Sequence, residues 1–187
     1  RNMAPLPLYR MGLMSQADFY RPWGETMSWM LRGWRVEEGQ ELFERLTEEQ
    51  SLPNLRQAML DRLDHHRHQG HLVAVVSGTF APWLGLIAQR LDIPHSIGTL
   101  LEVRDGRYTG RIVRPLCQGP AKPQQVNAYF AEQDLAVDWE NSFAYGDGGT
   151  DIPLLNEVGH PLAVYPDDVL LAHAQAQGWP VIEEARP

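Results

Sequence analysis

A single cysteine, Cys117, among 187 residues leaves no internal disulfide to form, so an apolar core must hold the fold. Long hydrophobic runs are also missing. The longest purely apolar stretch, Leu72 to Val76, is far short of the roughly 20 residues that a membrane-spanning helix needs. Positive charge is scarce: 16 Lys and Arg stand against 24 Asp and Glu, a formal net charge of −8. Binding along a phosphate backbone requires clustered Lys and Arg to displace counterions, so nucleic acid is not an expected partner, and neither is a membrane. The N-terminus, Arg1-Asn2-Met3, shows no basic-then-apolar leader. A reducing, cytoplasmic compartment is therefore expected. The missing initiator Met suggests that the chain starts inside a longer one.

What is present is 43% hydrophobic residues with six Trp. A chain of this length can bury roughly 70% of the surface that its unfolded form exposes, enough for a self-sufficient core. All six Met and three of the six Trp precede residue 68, in a stretch rich in helix formers. The pattern predicts helices from Ser15 to about Leu31, from Val36 to Gln50 and from Leu55 to His68, the last running toward Gly70. From Leu72 the texture changes to short β-branched runs alternating with helices. The expected order is a strand ending at Gly78, a helix over 80–91, and a β-hairpin of 99–103 and 108–113 about Arg104-Asp105-Gly106. A helix over 122–133, a strand over 142–145, a helix over 151–158, a strand over 162–164, a helix over 168–175 and a strand over 180–182 follow. Such alternation implies an α/β fold, a doubly wound, mostly parallel Rossmann-like sheet, with a small helical domain at 1–68 and the α/β core at 69–187. Ligands of such sheets bind outside the carboxyl ends of the strands.

Three polar sites follow predicted strands or loops there. Ser77, with Gly78 and Thr79, offers a hydroxyl and backbone N–H groups to an anion; an ordinary helix cap is the commoner explanation of a lone S-G-T. In FAYGDGGTD, Asp147 follows a strand directly and Asp151 opens the next helix. Two carboxylates there suit a hard divalent ion such as Mg2+, while a tight turn with Asp151 as a helix cap is the plainer alternative. Lys122, in CQGPAKPQQ, sits at the start of a helix, where a cation is unfavourable unless an anion is near; a lysine on a solvated loop is the commoner case. Together the three sites supply hydrogen-bond donors, a cation and a metal locus, the set that a phosphoryl group requires.

With these residues in view, the sequence resembles the haloacid dehalogenase superfamily, in particular its phosphoserine phosphatase-like branch. VVSGT with Ser77 is similar to the second motif, CQGPAK with Lys122 to the third, and GDGGTDIPLL with Asp147 and Asp151 to the fourth. EVRDGRYTGRIV is similar to the branch's hairpin insertion, GHPLAVYPDDVLLAHAQAQGWPVI to its C-terminal run, and residues 5–68 to its helical cap. The resemblance implies Mg2+-dependent hydrolysis of a small phosphorylated, phosphoserine-like metabolite through an aspartyl-phosphate. It implies that Ser77, Gly78 and Lys122 bind the phosphoryl group, Lys122 neutralising its charge, that Asp147 ligates Mg2+, and that Asp151 supports the metal site through water or through Lys122. Thr150 and Gly148 depart from the Asn and Ser common in phosphoserine phosphatases. No oligomeric state is implied.

The family's first motif, D-x-D-x-[TV], which supplies the nucleophile on the first, central strand, does not occur in these 187 residues. Either a preceding segment carries it, or the chain is a catalytically inactive relative that binds a phosphorylated ligand or a partner protein. A nucleotide-binding loop is disfavoured, because neither G-x-G-x-x-G nor G-x-x-x-x-G-K-[ST] is present. Trp23, Trp29 and Trp34 are candidates for a substrate-facing surface, although core packing is the expected role of aromatics in a small helical module. His65, His66, His68 and His71 read as a solvated helix end rather than a metal site. Cys117 reads as a small buried residue. About thirty residues before Arg1, enough for a strand and its connection, are expected in the native protein; an intact mass matching these 187 residues alone would contradict this.

Overall fold

The computed structural model describes residues 24–113 and 115–183. These fall into two compact units, Gly24–Cys117 and the residues from Gln118 on. The start of the helix expected from Ser15, together with Trp23, lies outside the described residues.

In the first unit, residues 24–30 are helical (α1), followed by α2 at Val36–Leu46 and α3 at Gln57–His68. Glu38 closes the start of α2 by accepting the Arg35 N–H at 2.7 Å, one of the donors that a helix start leaves open. The helical path continues past Leu46 as a wider π-type turn, Thr47–Ser51, where the buried Thr47 hydroxyl donates to the Phe43 carbonyl at 2.8 Å. The expected helix to Gln50 is thus present with a change of pitch. The β1 strand, Ala74–Phe80, pairs in parallel with β2, His95–Thr99, across α4, Ala81–Arg90. Next, β3 (Leu101–Arg104) and β4 (Arg107–Ile112) form the expected antiparallel hairpin. Its turn residues Asp105 and Gly106 both have positive φ, 51° and 71°, which the tight hairpin turn demands and Asp-Gly supplies.

Two expectations need correction here. The run 99–103 is not one strand: Thr99 ends β2, and only Leu101 onward belongs to the hairpin. The core reading of the cap tryptophans also fails for those described, since Trp29 is 62% and Trp34 40% exposed. The core consists instead of Leu31, Phe43, Leu86 and Tyr108, with Phe80, Trp83 and Leu101 packed against it. Phe43 stacks on Trp83 with ring centres 6.3 Å apart and meets Phe80 edge-on at 6.4 Å, joining helix, strand and hairpin in one apolar cluster.

The second unit holds α5 (Ala121–Ala131), β5 (Phe143–Gly146), α6 (Ile152–Leu155), β6 (His160–Val164), α7 (Asp168–Gln177) and β7 (Val181–Ile182). Its three strands are parallel in the order β5-β6-β7, and Ala163 of β6 forms the core with Leu155 of α6 and Leu170 and Ala174 of α7. The α/β class with parallel strands is therefore borne out. Among the described residues β1 ladders only with β2, and β5 only with β6. No described helix is long and apolar enough to cross a membrane.

Of the four histidines, His65, His68 and His71 are exposed as expected, and His66 is not. At the end of α3, His66 is buried at 7% exposure and its Nδ1 lies 2.8 Å from Nδ1 of His71, so one nitrogen must carry a proton and the other a lone pair. Burial, and then the neighbouring His71, lower the His66 pKa. A histidine kept neutral in the fold binds protons more readily when unfolded, so its contribution to stability is lost as pH falls below about 6.5, toward the depressed native value. The loss of Tm between pH 7 and pH 5 should be smaller in His66→Gln than in the parent; equal losses would contradict this assignment.

Candidate active site

The structure places Ser77 inside β1 rather than in a turn after it. The pairing of β1 with β2 slips between Val76 and Phe80, which makes 77–79 an irregular end to the strand. The ordinary-cap reading of S-G-T does not hold, because the N-cap of α4 is Phe80, with no side-chain cap. Instead the Ser77 hydroxyl donates to Thr79 Oγ1 at 3.1 Å and accepts the Thr79 N–H at 3.2 Å. Behind it the fully buried Thr99 donates to the Gly78 carbonyl at 2.8 Å and accepts the Cys117 N–H at 3.2 Å. Gly98 is required there, since a Cβ would come within 2.8 Å of the Thr79 carbonyl oxygen. Cys117 is buried, its thiol donating to the Ile97 carbonyl at 3.6 Å.

In the second unit the Asp151 carboxylate links Lys122 to the backbone of Asp147. Lys122 lies in the first turn of α5, between Ala121 and Pro123, and is 7% exposed. Asp151 is equally buried, and the Lys122 ammonium donates to its Oδ1. The second oxygen, Oδ2, accepts the backbone N–H of Asp147 at 3.1 Å and of Gly148 at 3.4 Å. One carboxylate thus holds the lysine with one oxygen and the GDGG loop with the other. The Gly119 N–H donates to the Thr150 carbonyl at 3.0 Å, tying the CQGPAK turn to the same loop. Gly146 permits the approach: a Cβ there would stand 2.6 Å from the Asp151 Cβ. Asp147 itself is exposed at the end of β5.

Lys122 is therefore no solvated loop lysine, and the anion that its position called for is Asp151. Asp151 is not an N-cap in the usual sense, because its carboxylate turns back to the preceding loop. Asp147 presents a carboxylate, a hard oxygen donor of the kind Mg2+ takes, so the donor type fits the ion that the resemblance implies. Sequence reasoning did not single out Asp167. It caps α7 by accepting the Leu170 N–H at 2.8 Å, and also accepts the Gly149 N–H at 3.1 and 3.0 Å from its two oxygens. The capping role was legible in Pro166-Asp167 ahead of a helix; the bond to Gly149 spans 18 residues and leaves no local signal.

A parallel α/β scaffold with a buried lysine fixed to a Gly-Asp-Gly-Gly loop defines a class, and comparison with known proteins identifies it. Residues 5–156 match the haloacid dehalogenase-like hydrolase family, and the chain belongs to that family. A probable phosphatase of Mycobacterium tuberculosis is 32% identical over 158 residues, 84% of this chain and 54% of its own length. A histidinol-phosphatase of Neisseria meningitidis is 30% identical over 133 residues, 70% of this chain and 60% of that protein. A phosphoserine phosphatase of M. tuberculosis is 31% identical over 116 residues, 62% of this chain and 37% of its own. The chain thus spans just over half of the first of these relatives. The crystal structure of a Bordetella pertussis protein of unknown function, 32% identical, is similar with a TM-score of 0.83 over 98% of this chain and 81% of that one.

Removing the carboxylate of Asp151 strips a buried ammonium of its carboxylate partner and frees the loop N–H groups. Asp151→Ala should therefore lower stability by about 3–5 kcal/mol in urea unfolding. Adding Lys122→Met should restore much of the loss, because the buried charge goes with it; a double variant as unstable as the sum of the two single ones would contradict the pairing.

Proposed function

We propose that the protein hydrolyses phosphate monoesters of small metabolites through an aspartyl-phosphate, with Mg2+ as cofactor. The observation that carries this reading is the shared carboxylate of Asp151, which holds a buried lysine against the loop that bears Asp147. A cation fixed in this way needs no reorganisation when charge develops on a phosphoryl group, which makes it an efficient electrostatic stabiliser.

In the proposed mechanism one carboxylate of a D-x-D-x-[TV] segment attacks phosphorus and the ester P–O bond breaks, the leaving alkoxide taking a proton from the other, which acts as the acid/base. Water then attacks the acyl phosphate, releasing inorganic phosphate and restoring the carboxylate. The attacking carboxylate is assigned to a D-x-D-x-[TV] segment outside these 187 residues. Ser77 and the Gly78 backbone hydrogen-bond the phosphoryl oxygens, and Lys122 offsets their charge. Asp147 holds Mg2+, while Asp151, whose oxygens already serve Lys122 and the loop, supports the metal site indirectly. When bound, the ion would add charge neutralisation at the phosphoryl oxygens. Residues 1–68 are assigned as the substrate-selecting cap and 69–187 as the core; the exposure of Trp29 and Trp34 supports a surface role for the first segment.

Two relatives bear the names of phosphoserine and histidinol phosphatases. Both compounds are primary phosphate esters with an amino group on the neighbouring carbon, and we infer a substrate of that phosphoserine-like class.

The full-length protein, including the assigned D-x-D-x-[TV] segment, should release phosphate from an aryl phosphate in Mg2+ and stop in EDTA, and should prefer amino-bearing esters to glycerol phosphate. Asp147→Asn should raise the Mg2+ requirement sharply, and Lys122→Ala, checked as folded by circular dichroism, should cut turnover at least ~100-fold. No phosphate release by the full chain would favour the inactive, ligand-binding reading, and parental rates in folded Lys122→Ala would end the assignment of that residue.

A further inference from the structure

Asp167 does more than cap a helix. The carboxylate that accepts the Leu170 N–H at the start of α7 also takes the Gly149 N–H with both oxygens, at 3.1 and 3.0 Å. Its own backbone N–H donates to the Asp147 carbonyl at 2.8 Å. The link is therefore reciprocal: residue 167 gives a hydrogen bond to the loop at Asp147 and receives one from it two residues later. The strand-to-helix connection leading to it is held in an unusual shape, with Tyr165 at φ 49°, a left-handed conformation rare for a non-glycine residue. The Tyr165 N–H is tied to the Ile182 carbonyl at 2.7 Å, which anchors that turn to β7. Gly148 faces the same carboxylate, with a Cβ there reaching 3.3 Å from Asp167 Oδ2.

The GDGG loop is consequently pinned from two sides. Asp151 grips the N–H groups of Asp147 and Gly148, and Asp167 grips Gly149 and the Asp147 carbonyl. We propose that Asp167 is a positioning residue for the divalent-cation site: by fixing Gly149 and the Asp147 carbonyl it holds the Asp147 carboxylate ready for the ion. This rests on the reading of Asp147 as the Mg2+ ligand. Groups that orient a metal ligand through hydrogen bonds typically change metal affinity by about 10–100-fold when removed.

Helix capping and loop positioning can be separated by side-chain length. Serine caps helices about as well as aspartate, but from position 167 it is too short to hold Gly149 as well. In the full chain, Asp167→Ser should keep its Tm close to the parent's while Mg2+ affinity, measured by calorimetry, falls about tenfold or more. The Mn2+ electron paramagnetic resonance spectrum should broaden as the site loses a single geometry. Asp167→Asn, which keeps one carbonyl oxygen at nearly the original reach, should recover part of the affinity, and serves as the test if the serine variant does not fold. Parental Mg2+ affinity in folded Asp167→Ser would overturn the proposal, as would an affinity loss in both variants that merely tracks their loss of Tm. Asp147→Asn is the control. If it too leaves Mg2+ affinity unchanged, the metal reading itself fails; if it weakens binding while Asp167→Ser does not, only the positioning role fails.

Discussion

The buried ion pair between Lys122 and Asp151 is the constraint from which the candidate site follows. Two charges at 7% exposure each are costly to desolvate, and such a pair is a weak source of stability even when its geometry is good. Its value lies in placement. Because Asp151 spends its second oxygen on the N–H groups of Asp147 and Gly148, the position of the lysine and the shape of the loop are not independent. A change that moves one moves the other. The glycines of the loop follow from this: Gly146 leaves room for the Asp151 side chain and Gly148 for the Asp167 carboxylate.

The same economy appears in the first unit around Ser77, with neutral groups in place of charges. Thr99, fully buried, holds the Gly78 carbonyl from behind, and Gly98 lets β2 approach the Thr79 backbone. In both units a buried side chain holds the backbone beside a motif residue: Thr99 the Gly78 carbonyl, and Asp151 the Asp147 N–H. Family membership rests on 152 consecutive residues, 5–156, which span the Ser77, Lys122 and Asp147 motifs together.

Much of this was legible in the sequence where local chemistry decides structure. The hairpin was readable because Asp105 and Gly106 tolerate positive φ, and the parallel strands because short β-branched runs alternate with helical ones. The motif residues stood out as polar groups beside apolar strands. What escaped depends on contacts distant in sequence. HSIGT at β2 carries a serine and a glycine that weaken a strand signal, and the reason for Gly98 lies in another strand. Trp29 and Trp34 looked like core by residue type, yet Phe43, Trp83 and Tyr108 occupy the core of that unit. His66 looked solvated, but its pairing with His71 is formed by the turn at the end of α3. Asp167 was invisible as a loop partner because its second bond reaches back 18 residues.

The claim at the centre is that the Lys122 ammonium, held by Asp151, meets the phosphoryl group. Nitrogen-15 spectroscopy of the lysine side chains tests it directly, since a buried ammonium exchanges its protons slowly enough to be seen. When the full chain with Mg2+ is titrated with orthovanadate, a phosphate mimic, the Lys122 Nζ resonance should shift in step with vanadate binding. A resonance that stays in place while vanadate binds would contradict the account.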